Sequence, residues 1–193
     1  MVPEIFPARI TQTGWGLYDR TMKRLALCVL AVAAIASACT DDNPSSPGQP
    51  QPTFSAELRA SNENPPITNA ESTGAGNATV SFEITRGSAG NITAANATFV
   101  VNLSGFPPGT PIRIAHIHTG GAGVNGAIVV DTGLVPGDNL TLADGSGSFT
   151  RTAAVTNLDV LSQIIANPSA FYFNAHSAVN PGGVVRGQLV KVQ

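Results

Sequence analysis

From residue 54 onward, apolar and polar side chains alternate with a period of two, the pattern of strands that bury one face. Residues 54–60 form the first such run, ended by the turn-prone Ser61-Asn62-Glu63-Asn64-Pro65-Pro66. The run 76–86 alternates most cleanly, with Ala78, Val80, Phe82 and Ile84 on one face and Asn77, Thr79, Ser81, Glu83 and Thr85 on the other. Residues 92–103 repeat it with Ala95, Ala97, Phe99, Val101 and Leu103 inward, and the glycine-containing turn at 87–90 makes the two runs a hairpin. Further strands are predicted at 112–118, 127–131, 147–155, 170–176 and 184–192, with loops at 105–109 and 133–138. One helix is predicted over 157–167: Asn157 caps it, Leu158, Leu161, Ile164 and Ile165 make its apolar stripe, and Pro168 ends it. About eight short strands and one short helix predict an all-β fold, an antiparallel Greek-key-like β-sandwich.

The pattern is different before residue 53. Residues 1–21 carry Pro3, Pro7, Gly14 and Gly16 and predict no regular element. Met22-Lys23-Arg24 then precedes an apolar run over 25–38 and Cys39, the layout of a secretory signal and too short for a membrane span of about 20 residues. Met22 is therefore expected to be the start, with 1–21 an upstream extension and 22–38 a signal peptide. Ala36-Ser37-Ala38-Cys39 resembles a bacterial lipobox, which implies lipidation at Cys39 and attachment to a membrane of the cell envelope, at the periplasmic or outer surface. Residues 39–52, rich in Pro and Ser, read as a polar tether, and 53–193 as the folded domain.

Composition supports this division. Charged residues are only 11% of the chain, while Gly (20) and Pro (14) are abundant, which suits turns between strands. A net charge of -2 gives no basic surface for nucleic acid. Cys28 lies in the signal and Cys39 at its end, so the domain holds no cysteine and must rely on its core. Asn-x-Ser/Thr triplets at Asn77, Asn91, Asn96, Asn102 and Asn139 read as polar strand faces.

Candidate chemistry centres on histidine. The chain has three, and two stand one residue apart in Ala115-His116-Ile117-His118, so their side chains leave the same face of a strand. With His176 they offer three imidazoles, a set that suits copper or zinc, although paired strand histidines also serve as hydrogen-bonded structural groups. Tyr172, Asn174 and His176 share a face of one strand, and Arg186 and Gln188 share a face of the next. If those strands pair, the result is either a ligand site, with Arg186 available for a carboxylate, or a buried network that sets strand register; the network is the preferred reading. The run 119–126 has no Gly-Lys-Ser/Thr end and no following helix, so it is not a phosphate loop. Gly123 and Asn125-Gly126 signal tight turns, as do Gly182 and Gly183 after Pro181. Glu57, Glu63, Glu71, Asp131 and Asp138 form no evident catalytic pair and read as scattered surface carboxylates.

Several of these motifs in order, Ala115-His116-Ile117-His118 with Gly123-x-Asn125-Gly126 and Phe173-Asn174-Ala175-His176-x-x-x-Asn180-Pro181-Gly182-Gly183-x-x-Arg186-Gly187-Gln188-Leu189, together with Leu58 to Pro66 and the strand from Gly76, resemble a CHRD domain, the module named from chordin. The likeness spans about residues 54–192; Val184-Val185 departs from it where an acidic residue often precedes the arginine. The resemblance implies an exported module without catalysis. A second likeness is to the copper/zinc superoxide dismutase sandwich, with His116, His118 and His176 matching copper ligands. The bridging fourth histidine, the remaining zinc histidines and the disulfide are missing, so that zinc site is excluded. The expected function is a lipid-anchored, non-enzymatic binding or cell-envelope module for a protein or small-molecule ligand. The alternatives are a copper-dependent, dismutase-like oxidoreductase and a metal-storage or sensing protein.

Overall fold

The computed structural model describes residues 50–192. The upstream extension, the signal peptide, Cys39 and the tether as far as residue 49 lie outside the described residues. Ten strands form: β1 (Thr53–Arg59), β2 (Ala75–Arg86), β3 (Ile92–Ser104), β4 (Thr110–Thr119), β5 (Ile128–Asp131), β6 (Thr141–Leu142), β7 (Gly147–Ala154), β8 (Phe171–Ser177), β9 (Val185–Gln188) and β10 (Val190–Lys191). The helix α1 covers Leu158–Ala166, with the Asn157 side chain accepting a hydrogen bond from the Val160 amide. Among the described residues the architecture is all-β with one α-helix, as the sequence pattern predicts.

The strands make one antiparallel path, β5-β4-β8-β9-β1-β2-β3-β7, with β10 on β1 and β6 on β4. The path folds over one apolar core, so that Phe99 of β3 meets Phe173 of β8 with ring centroids 6.2 Å apart. The β2–β3 hairpin pairs Asn77 with Asn102 on its exposed face, and the two amides hydrogen-bond at 3.1 Å. Its inward residues Ala78, Val80, Phe82, Ala97, Phe99 and Val101 are fully buried.

Two boundaries differ from the sequence pattern. The run expected as one strand over 184–192 breaks at Leu189, whose amide turns to the Phe171 carbonyl while its side chain enters the core. The chain therefore enters as β9 between β8 and β1, then leaves as β10 along the edge of β1. The short β6 falls between the predicted loop 133–138 and the strand from 147, where the pattern assigns no element; it forms because Leu142 is buried and the Ile112 amide bonds the Leu140 carbonyl.

The site depends on a different feature of the sheet. β8 is buried at all seven positions, and β4 buries Ala115, His116, Ile117 and His118 in succession. Both faces of these strands are covered, one by the core and the other by polar loops. The second face holds the histidines.

Candidate metal centre

β4 lies against β8 with Ile114 opposite His176, His116 opposite Asn174, and His118 opposite Tyr172. His118 and His176 are thus rooted four residues apart along the ladder, about 13 Å at strand rise. Their rings nevertheless lean together to 5.9 Å between centroids, and the His116 ring stands 5.7 Å from one and 5.2 Å from the other. One ring nitrogen of each histidine can be chosen so that all three lie within 4.8 Å of one another. Three nitrogens on a tetrahedral ion at about 2.05 Å would be about 3.3 Å apart, so inward rotations on the order of an ångström close the set.

The free valences of these rings point to the same conclusion. His118 Nδ1 is 3.1 Å from the Gly126 carbonyl and His176 Nδ1 is 3.0 Å from the Pro181 carbonyl. A carbonyl can only accept, so both rings carry their proton on Nδ1 and present Nε2 as a lone pair. Those two Nε2 atoms are buried without a partner, as is His116 Nδ1. The other nitrogen of His116 faces Asp131 Oδ2 on β5 at 3.9 Å. Buried polar atoms are rarely left unpaired, and a ring held by an outer carbonyl or carboxylate is the usual support of a metal-binding histidine.

Electrostatics keep the rings neutral. Burial is the main cause of the lowered pKa of His116, which falls from 6.5 to about 4 against the opposing pull of Asp131. Burial likewise lowers His118, opposed by the Gly126 bond, and His176, opposed by the Pro181 bond. Neutral imidazole is the form that binds a metal.

The remaining predicted residues form the wall beside the histidines. β8 and β9 pair Asn174 with Arg186 and Tyr172 with Gln188. Arg186 is 1% exposed and lies 3.4 Å above the centroid of the Tyr172 ring, whose other neighbour is the stacked His118 ring at 4.9 Å. Its guanidinium donates to Asn125 Oδ1 at 3.1 Å and to the carbonyls of Gly121 and Val124 at 2.8 and 2.7 Å. Gln188 donates to the carbonyls of Gly120, Ser169 and Phe171. Both terminal nitrogens of Arg186 are thus engaged by the loop between β4 and β5, the arrangement of a clamp rather than a carboxylate receptor. That clamp holds the loop which supplies the Gly126 carbonyl to His118.

The turn glycines divide by role. Gly123 has φ +74 in a turn closed by the Val124 amide on Gly121, so the tight turn stands ahead of Asn125-Gly126. Gly126 has no positive φ; it is needed because a Cβ there would strike the Thr119 backbone carbonyl. Its expected turn role is corrected accordingly. Asn125 works through its side chain, donating to the Asn64 carbonyl at 2.7 Å as Asn64 donates to the Gly123 carbonyl at 2.7 Å. Gly182 lies in the turn closed by the Gly183 amide on Asn180. Gly183, at φ +134, packs where any Cβ would strike the side chains of Asn174 and Glu63.

Reading the acidic residues as scattered surface groups misses two buried carboxylates. Glu71 is buried and accepts from Ser177 and Asn180, bracing the loop that carries Pro181. Glu63, from the loop after β1, is buried against Asn174. Burial raises its pKa from 4.5 to about 7 despite the Arg186 charge and a hydrogen bond from Asn174. No local motif marks either residue; only the packing of distant loops on β8 exposes their role.

A family model described as CHRD domain matches residues 54–189. No curated protein and no solved structure matches the chain.

Proposed function

The chain belongs to the CHRD domain family, and from that premise we propose that it is an exported, lipid-anchored binding module whose ligand is a single transition-metal ion held by His116, His118 and His176. The observation that carries the metal is the convergence of three buried imidazoles, each with one ring nitrogen lacking a partner. Three neutral nitrogens without a thiolate suit copper(II) or zinc, and the general affinity order places copper first. When bound, such an ion supplies Lewis acidity or, for copper, one-electron redox capacity. The chain supplies the ligands, orients two of them through the Gly126 and Pro181 carbonyls, and shields the site from water with the loop held by Arg186.

Calorimetric titration of the detergent-purified full chain with copper(II) and zinc tests this. One saturable site is expected, weakened at least about 100-fold in His176→Ala, because two imidazoles alone hold an ion poorly. Absence of saturable binding, or binding unchanged by His116→Ala and His176→Ala, rejects it. Dismutase-like turnover is a second reading, favoured by the fact that three protein ligands leave a coordination position open. Lack of superoxide removal by the copper-loaded protein eliminates that reading and leaves storage or sensing.

Export and anchoring rest on the pattern from Met22 to Cys39. Cys39→Ala is expected to move the protein from the membrane fraction to the soluble one, and unchanged fractionation rejects the anchor.

A further inference from the structure

Among the described residues, five buried side-chain atoms have no hydrogen-bond partner: His116 Nδ1, His118 Nε2, His176 Nε2, Asn174 Oδ1 and Glu63 Oε1. The first three are the nitrogens of the metal reading. The last two are oxygens, one on Asn174 of the same β8 face and one on Glu63, which is packed against Asn174. The rings of His118 and His176 lean toward each other along the β4–β8 ladder, and the register position midway between their roots is the pair His116–Asn174. The Asn174 side chain therefore leaves the histidine face of the sheet between those two roots, directly opposite His116. Glu63 reaches Asn174 from the loop after β1, and both side chains press on the bare backbone of Gly183. Glu63 is not itself one of the converging ligand groups, which are the three histidines alone.

An ion with three protein nitrogens needs at least one further donor. Two orphan oxygens beside it can accept hydrogen bonds and have none to donate while the Asn174 NH2 is turned to Glu63. We infer that the open coordination position of the centre is walled by Glu63 and Asn174, which select a small neutral ligand bearing protons, water at rest, and disfavour anions. The inference rests on the metal reading of the three histidines and deepens it by naming the class of molecule that shares the ion. A protic ligand on the metal would satisfy both orphan oxygens at once. A bare anion there would leave them unpaired and would lie close to a carboxylate in a buried setting, where like charges repel strongly.

The test uses the copper(II)-loaded full chain at mildly alkaline pH, after metal stoichiometry has been measured. Azide is titrated and followed by its charge-transfer band, and exchangeable protons on the metal-bound oxygen are sought by pulsed electron-nuclear resonance in heavy water. Weak azide binding is expected in the wild type, tightened about ten-fold or more in the isosteric Glu63→Gln, where a neutral amide replaces the carboxylate. An exchangeable water signal is expected in the wild type. Equal azide affinity in the two proteins, or a metal without an exchangeable water, overturns the inference while leaving the histidine site standing. Failure of the chain to take up metal overturns both. Glu63→Asp, which keeps the charge, should retain the weak azide affinity; tightening there as large as in Glu63→Gln also overturns the role assigned to the charge.

Discussion

At the scale of single residues, the histidines are held by groups that sequence adjacency does not reveal. Asp131 is 64% exposed, yet among the described residues it is the carboxylate that faces His116, at 3.9 Å. Asp131→Asn should leave the fold intact and weaken copper binding about ten-fold, the usual effect of losing an outer carboxylate on a ligand histidine; competition with a chromogenic chelator measures this. Gly183 is a second such position. Its φ of +134 and its closeness to Asn174 and Glu63 leave no room for a methyl group. Gly183→Ala is expected to cost about 1–3 kcal/mol in urea unfolding, with metal affinity falling in parallel because Asn174 is displaced.

At the scale of elements, the loop between β4 and β5 has no secondary structure of its own and is ordered by side chains from elsewhere. Arg186 of β9 binds two of its carbonyls and Asn125, while Asn64 and Asn125 exchange bonds with each other's surroundings. Arg186→Met keeps the apolar stem but leaves those acceptors unpaired. A loss of about 3 kcal/mol is expected, together with new protease cleavage within 119–126; resistance equal to wild type would refute the clamp. The helix α1 offers a local contrast. Its cap is one side chain on one amide, so Asn157→Ala should cost about 1 kcal/mol without altering metal binding, as calorimetric unfolding and titration would show.

For the domain as a whole, the buried histidines set the response to acid. In the unfolded chain an imidazole takes up its proton near 6.5, whereas folded His116 does so only near 4, and His118 and His176 are also lowered. Below 6.5 the unfolded state therefore binds more protons, and stability is lost as pH falls toward 4. Glu63 works in the opposite sense, because its folded pKa is raised to about 7 and its burial costs stability as pH climbs from 4.5. The shifts of His116 and Glu63 are of similar size and opposite sense, so the net loss in acid falls to His118 and His176. The metal-free protein should lose stability between pH 6.5 and 4, read from urea midpoints across that range. Bound metal should raise stability near neutrality but keep or steepen that slope, because liganded nitrogens cannot take up the protons that the unfolded histidines bind.

The sequence by itself determined the strands, because a period-two pattern can bury its apolar set on only one face. Phe82 and Ile84 on β2, and Phe99 and Val101 on β3, are assigned by alternation alone. So are the single helix with its Asn157 cap and the shared faces of His116 with His118 and of Asn174 with His176. Local spacing carried that information. Spacing could not show that the polar face of β4 and β8 is buried, since alternation reads polar positions as outward. It could not show that β9 splits from β10 at Leu189, where a core position and a change of partner interrupt what reads as one strand. It could not bring Glu63 to Asn174, Asp131 to His116 or Arg186 to the 119–126 loop. Those contacts join residues 15 to 111 positions apart in pairs that no local period encodes. They form because β8 lies inside the path, between β4 and β9, and loops distant in sequence fold over it. Only the tertiary structure turned three scarce histidines into one buried set with free nitrogens, and placed a buried carboxyl beside them.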